Sequence, residues 1–178
     1  MPKTEQISLE HLARSAKAGD REAFISMIEH CKPTLLGVAR SLLKQEEDVA
    51  DAMQDTVLKA FQGIGSLKKP GYCKTWLTRI CMNCCYELLR RRNTVSLYDD
   101  APERGVEYEW DDSLDVHAAL SELNGNDRLV LTLFFVEELS QKEIGQLLGI
   151  SENAVKQRIA RAKRKFQTIY LKGDAVNE

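Results

Sequence analysis

The sequence has no apolar segment long enough to cross a membrane. Its 178 residues are 43% hydrophobic, yet no uninterrupted apolar run approaches the roughly 18–20 residues that span a bilayer. The first six residues, MPKTEQ, are polar and lack the basic and then apolar plan of a secretory signal. These absences argue against a membrane-spanning or secreted protein, and we expect the chain to be cytoplasmic.

Side chains for catalysis or metal binding are also scarce. The three histidines are scattered, and no nucleophile, base and orienting group stand together. The five cysteines are odd in number, and Cys81-x-x-Cys84-Cys85 lies in a predicted helix without a second pair in range for zinc. We therefore expect no catalysis, cofactor or metal. Reduced, partly buried thiols are the first interpretation of the cysteines, and redox sensing is the alternative.

The N-terminal half has no alternating pattern of apolar and polar residues, so strands are not predicted there. Apolar residues instead recur at helical spacing between capping residues and glycines. The pattern predicts an all-α bundle. Its elements are a helix capped by Ser8 and ending at Gly19, a helix capped by Asp20, a new or kinked helix at Pro33, a helix from Asp48 to Phe61, a loop over 62–72, and a long helix from Cys73 to Arg92.

Charge is unevenly distributed along the chain. Residues 1–95 carry 15 basic and 11 acidic side chains, residues 96–138 carry 2 and 12, and residues 139–178 carry 8 and 4. Two mildly basic ends joined by an acidic centre are typical of a nucleic-acid binder with a separate task for its middle. We expect the stretch 94–113 to be a flexible acidic linker.

A helix-turn-helix is predicted near the C-terminus, in LSQKEIGQLLGISENAVKQRIARAKRKF. Ser140 caps a short helix that Gly149 ends, and Ser151 caps a second helix. In the second helix an apolar stripe lies opposite a polar face with side chains suited to base edges and phosphates. The predicted DNA-contacting residues are Ser151, Asn153, Lys156, Gln157, Arg158, Ala160, Arg161 and Arg164. A solvated basic helix is the alternative.

Two N-terminal segments have a different chemistry. The segment DVADAMQDTVLKAF carries an acidic stripe, formed by Asp48, Asp51 and Asp55 with Gln54 beside them. Such a stripe repels DNA, so either it binds a basic protein or it is a solvated face.

The second segment, KKPGYCKTWLTRICMNCCYELLRRR, interleaves cations with aromatic residues. This composition suits single-stranded nucleic acid, because bases stack on rings and phosphates meet charges. The alternative is a core tryptophan with a basic helix end. We expect Trp76 to be mostly buried, which favours the loop and Asn83 for base contact. The candidates are Lys68, Lys69, Tyr72, Lys74, Trp76, Arg79 and Asn83.

Taken in order, these segments resemble the extracytoplasmic-function sigma factors of the sigma-70 family. The similarity covers GDREAF, EEDVADAMQDTVLKAF, KTWLTRICMN, LLRRR, an acidic spacer and the helix-turn-helix, or about residues 10–168. It implies a non-enzymatic initiation factor with two small helical domains joined by the acidic linker. Residues 1–93 would form the sigma-2 domain, 94–113 the linker, and 114–178 the sigma-4 domain.

The resemblance also implies partners and roles. Positions matching Asp51, Gln54 and Asp55 would dock on the clamp coiled coil of core RNA polymerase, and the flap would be a further contact. The 62–75 loop and the Trp76–Asn83 helix would capture a flipped base of the −10 promoter element. The recognition helix would read the −35 element through Lys156, Gln157, Ala160 and Arg161. An anti-sigma factor, often membrane-anchored in this family, would be a third partner, and no small-molecule substrate is implied.

Three departures from the family pattern bear on promoter sequence. The loop lacks a phenylalanine expected near its start, Asn124-Gly125 replaces a common proline, and Ala160 replaces a larger side chain.

One competing function is a self-sufficient repressor or activator that uses only the helix-turn-helix, but this leaves the acidic helix without a task. The other is a redox-responsive or enzymatic protein built on the cysteines.

Overall fold

The computed structural model describes residues 8–95 and 119–174, and all the regular secondary structure in these ranges is helical. The all-α prediction is therefore confirmed. Most of the predicted linker lies outside the described residues. The elements are α1 (Leu9–Lys17), α2 (Arg21–Leu42), α3 (Glu46–Gly63), 3₁₀ turns at Ile64–Ser66 and Pro70–Tyr72, α4 (Cys73–Val95), α5 (Gly125–Leu131), a π-helical turn (Thr132–Val136), α6 (Gln141–Leu148) and α7 (Glu152–Asp174).

The first two helices begin where the local sequence predicts. The Ser8 side chain accepts a hydrogen bond from the His11 amide, and Asp20 accepts one from the Ala23 amide. Gly19 separates the helices with a φ of +100°, a conformation that favours glycine. Pro33 lies inside α2, which continues through it to Leu42, so no new helix begins there.

Helices α1 to α4 pack around buried aliphatic and thiol side chains, among them Met27, Leu35, Val49, Leu77 and Cys81. The predicted loop over 62–72 is short and partly ordered by its two 3₁₀ turns. It is held at Leu67, whose side chain is buried and whose carbonyl accepts a hydrogen bond from Lys17 at 2.7 Å.

The C-terminal helices pack directly on α2 and α4, and the buried apolar residues of both parts form one continuous cluster. Gly125 at the start of α5 lies close to the C-terminal end of α2, because a Cβ placed there would be 3.6 Å from the Ser41 carbonyl oxygen. Among residues 8–95 and 119–174, no helix combines the length and apolar character needed to span a bilayer.

Candidate nucleic-acid and protein interfaces

The turn between α6 and α7 has the geometry of a helix-turn-helix. A capping box starts α6, in which Ser140 and Glu143 exchange side-chain and backbone hydrogen bonds, and Gly149 ends it at a φ of +66°. Ser151 then caps α7 by accepting a hydrogen bond from the Ala154 amide at 3.2 Å. The two predicted helices and their glycine turn are present as the sequence indicates.

Gly145 is a requirement of this turn that the sequence analysis missed. The Ile150 amide donates to the Gly145 carbonyl at 3.0 Å, which folds the chain back over α6. A Cβ at position 145 would lie 2.8 Å from the Ile150 carbonyl oxygen, closer than real Cβ contacts allow. A glycine inside a helical pattern was the available indication of a close backbone approach.

Helix α7 separates an apolar face from a polar one. Val155, Ile159 and Ala162 are buried, and Phe166 is half-buried. The predicted DNA-contacting residues are all exposed, including the small Ala160 among the long side chains. The helix therefore presents amide and guanidinium groups along one continuous face, as entry into a major groove requires.

A buried carboxylate ties α7 to α5. Asp127 is 4% exposed and forms an ion pair with Lys165, while the Asn124 side-chain amide donates to it at 2.7 Å. Burial disfavours the charged form of Asp127, but the hydrogen bonds from Lys165 and Asn124 outweigh it and lower the pKa. The Lys165 charge is thus used in an ion pair inside the fold.

On α4, part of the predicted single-strand site shares one face. At about 100° per residue, Trp76, Arg79 and Asn83 lie within about 60° of one another. Arg79 and Asn83 are exposed. Trp76 is only partly exposed, and its ring lies 3.7 Å from where a Cβ of Gly63 would stand. The tryptophan is therefore mostly buried, as the sequence predicts, and it lies beside the start of the loop.

The loop residues are available to a ligand. Lys68, Lys69 and Tyr72 are exposed, and the Lys69 ammonium lies 5.9 Å from the centre of the Tyr72 ring. Lys74 lies about 200° around α4 from Trp76. The structure therefore places the start of the loop beside Trp76 and separates Lys74 from the face of α4 that carries Trp76.

Both Lys74 and Arg79 contact the C-terminal helices. The Lys74 ammonium lies 3.3 Å from the Glu137 carboxylate, and the Arg79 guanidinium donates to the Gln146 carbonyl at 2.7 Å. Two of the predicted −10 contacts are thus engaged within the chain.

The acidic stripe on α3 divides into one buried residue and an outward-facing group. Asp48 is 8% exposed and pairs with Arg92 of α4 at 2.8 Å, so its charge is used inside the fold. Asp51 and Gln54 are exposed, and Asp55 is half-buried.

Two large apolar side chains extend this outward-facing group. Leu58 and Phe61 are 55% and 50% exposed, one and two turns further along α3. Ala60, next to Phe61, is buried in the core. An acidic, amide and apolar strip on one helix suits a protein surface better than a nucleic acid.

All five cysteines are free and fully buried, more deeply than the sequence analysis expects. The Cys81 thiol donates to the Leu35 carbonyl at 3.6 Å, and burial raises the pKa of Cys84. Buried thiols of this kind pack as small apolar side chains. In the described part of the chain, no group of His, Cys, Asp and Glu has an arrangement suited to a metal ion.

Comparisons with known proteins agree with this geometry. Residues 27–95 match the family model for sigma-70 region 2, and residues 113–166 match that for sigma-70 region 4. The chain is 32% identical to the ECF RNA polymerase sigma factor SigM of Mycobacterium tuberculosis over 152 residues, covering 84% of this chain and 78% of SigM. It is 30% identical to the sigma factor NccH of Alcaligenes xylosoxydans xylosoxydans, covering 90% and 93%.

Solved structures show the same architecture. CnrH in complex with the cytosolic domain of CnrY superposes with a TM-score of 0.69 at 29% identity, covering 93% of this chain and 98% of CnrH. The sigma factor RpoE of Bartonella quintana, solved with the anti-sigma factor NepR, also gives a TM-score of 0.69. It is 24% identical and covers 82% and 95% of the two chains, and it therefore supports the fold alone.

Proposed function

Since the chain belongs to the extracytoplasmic-function sigma factors of the sigma-70 family, which direct promoter-specific transcription initiation with RNA polymerase, we propose that three surfaces divide this work. Helix α7 reads the −35 element, the loop and α4 capture the −10 element, and α3 binds core polymerase. In this assignment residues 1–93 act as the sigma-2 domain and 114–178 as the sigma-4 domain, with 94–113 between them. The chain is an initiation factor rather than an enzyme.

The assignment of α7 to the −35 element rests on the separation of its two faces. Its apolar residues are buried against α5 and α6, while all the candidate contact residues are exposed. Lys156, Gln157 and Arg161 have the donors and acceptors for base edges, and Arg158 and Arg164 suit the flanking phosphates. This observation supports DNA binding most directly.

The assignment of the −10 element rests on the neighbourhood of the loop and α4. Tyr72 and Trp76 offer rings for an unstacked base, Asn83 offers an amide, and Lys68 and Lys69 offer charge to the phosphates. Extruding a base costs a few kcal/mol, which stacking and hydrogen bonds in such a site can offset. A site of this kind favours DNA that is already melted.

For core polymerase we assign Asp51, Gln54 and Asp55 together with the exposed Leu58 and Phe61. Carboxylates next to apolar side chains suit the polar rim and apolar centre of a protein interface. We leave Asp48 out of this surface because it pairs with Arg92. The flap contact is assigned to the C-terminal helices on the family resemblance alone.

A cytoplasmic location follows from this function, because core polymerase works there. An anti-sigma factor is a further proposed partner. Its support is that the similar protein CnrH was solved in complex with the cytosolic domain of CnrY.

The decisive experiment measures binding to core RNA polymerase and to free promoter fragments separately, followed by run-off transcription on a genomic library. A sigma factor binds core tightly, binds free promoter weakly and starts transcription only with core. A self-sufficient regulator would show the reverse pattern, with tight binding to free DNA and no dependence on this chain for initiation. The second pattern would contradict the proposal.

A further inference from the structure

Helix α1 belongs to none of the three proposed surfaces, and it precedes residues 27–95, which match the region 2 model. It nevertheless packs on both 3₁₀ turns of the loop that leads into α4. That loop is assigned above to the −10 element, so any role of α1 in promoter binding rests on the proposed function. The contacts between α1 and the loop show what this role is.

The middle of the loop is fixed to α1 by Lys17. The Lys17 ammonium donates to the Leu67 carbonyl at 2.7 Å, although the two residues are 50 positions apart. The Leu67 side chain is 2% exposed, so the core holds the side chain of this residue while Lys17 holds its backbone. Hydrogen bonds from charged donors are stronger than those between neutral groups. Lys17 therefore fixes the path of the backbone just before Lys68 and Lys69.

The end of the loop also lies against α1. A Cβ on Gly71 would be 3.5 Å from a carboxylate oxygen of Glu10, and the Cys73 thiol donates to the Leu9 carbonyl at 4.0 Å. Lys17 itself is the last residue of α1, where the negative end of the helix dipole favours a cation. Among these contacts, the hydrogen bond from Lys17 has the shortest distance and carries a charge.

The loop residues assigned to DNA depend on this support. Lys68, Lys69 and Tyr72 are exposed, so the backbone that carries them sets where they stand. Capture of an extruded base is favoured when its contact groups are already ordered, because ordering them during binding costs conformational entropy.

We propose that Lys17 is a positioning residue for capture of the −10 base. Through the Leu67 carbonyl it holds the loop in the conformation that receives the base, and it acts on DNA only through the loop.

The first test measures hydrogen exchange of the free full-length protein by mass spectrometry. Lys17→Met removes the donor and keeps a long apolar side chain. Exchange in the peptide covering 64–72, which includes the Leu67 amide bonded to the Ile64 carbonyl, should become about tenfold faster. Peptides from α3 should exchange as in the wild type, which shows that the fold is intact. Lys17→Arg keeps a charged donor and should restore protection. Wild-type exchange of the loop in Lys17→Met would overturn the proposal.

The second test uses holoenzyme and a fluorescein-labelled single strand from a promoter found by run-off transcription. Anisotropy at one salt concentration compares the intact strand with a strand that has abasic sites at the −10 bases. The wild type should prefer the intact strand by about tenfold or more, as expected for stacking of one or two bases. Lys17→Met should reduce this preference to about twofold and bind the abasic strand nearly as the wild type does. Lys17→Arg should keep the preference.

The matched control is Lys32→Met on α2, which removes the charge of a lysine whose side chain is 51% exposed and lies outside the loop. It should keep the wild-type preference for the intact strand. Equal losses in Lys17→Met and Lys32→Met would mean that charge alone acts, and would overturn the positioning role.

The two proposals fail in different ways. A wild type without preference for the intact strand would refute base capture, and the role of Lys17 with it. A wild-type preference that persists in Lys17→Met would refute the role of Lys17 alone.

Discussion

At the scale of single residues, Asp127 is the charge on which the position of the recognition helix most depends. It is buried at the start of α5 and bound to Lys165 of α7, with Asn124 as a second donor. The apolar stripe of α7 packs on α5 and α6, and this buried ion pair beside the stripe also fixes the rotation of the helix. Asp127 and Asn124 are distant in sequence from the residues proposed to contact DNA.

Replacing Asp127 by Asn should reduce the free energy of unfolding by about 2 kcal/mol, the typical contribution of hydrogen bonds to a charged group. The folded-state pKa of Asp127 is lowered, so its stabilisation is present above the unfolded pKa and is lost as pH falls below about 4. Urea unfolding at several pH values measures both effects.

The matched control for Asp127 is Asp51→Asn, an equal change on an exposed side chain. It should alter stability by less than about 0.5 kcal/mol. If Asp127→Asn and Asp51→Asn had the same small effect, the buried pair would contribute nothing measurable.

The three carboxylates of α3 differ in exposure in a way that the sequence does not predict. Asp48, Asp51 and Asp55 are equivalent by type and spacing, and all three were predicted to form one surface. In the fold Asp48 is covered by Arg92, which is far away in sequence, whereas Asp51 remains exposed. No local rule distinguishes them, because the difference is made by the packing of α4 on α3.

At the scale of secondary-structure elements, the α6–α7 turn depends on two glycines for different reasons. Gly149 supplies a positive φ, which the helix-ending pattern predicts. Gly145 supplies space, since the returning chain passes directly over it. Only the first reason can be recognised from a short sequence window.

Gly145→Ala should destabilise the protein by about 1–3 kcal/mol, because the added methyl group meets backbone that cannot move aside easily. Thermal unfolding followed by circular dichroism measures this loss. The control is Gly65→Ala, where a Cβ meets no atom within 4 Å. A melting temperature for Gly145→Ala at or above that of Gly65→Ala would contradict the steric account.

In helix α2, tertiary packing outweighs the local effect of a proline. Pro33 removes one backbone donor and usually ends or kinks a helix, so a new helix at this point was one of two sequence-based expectations. The helix nevertheless continues to Leu42 because both halves bury apolar side chains, such as Met27 and Leu35, in the same core. Tertiary packing outweighs the local cost.

At the scale of the whole molecule, a substitution in each of the three proposed surfaces should affect a different step of initiation. Arg161→Ala should weaken −35-dependent transcription by about 10-fold or more, as the loss of one base-reading pair implies, while core binding is unchanged. Asp55→Ala should weaken binding to core polymerase, whichever promoter is used. Asn83→Ala should slow melting or change the −10 preference. Run-off transcription, core-binding titration and permanganate footprinting measure the three steps.

The control for this set is Arg21→Ala, which removes an exposed arginine at the start of α2, outside the three surfaces. It should leave all three measurements near the wild type. If the three site variants lost every step together, unfolding would explain them better, and the division of labour would be unsupported.

The sequence alone determined the helix caps, the helix faces and the helix-turn-helix, because these follow from interactions within a few residues. Caps at Ser8, Asp20 and Ser140, the glycine at 149 and the stripe of α7 are local patterns that mark helix ends and faces. The ordered motifs then identified a sigma factor. Only the tertiary structure decided which polar residues are free to act. Asp48 is engaged by Arg92, Lys165 by Asp127, and Lys74 by Glu137, since each partner is distant in sequence and becomes a neighbour only when the helices pack.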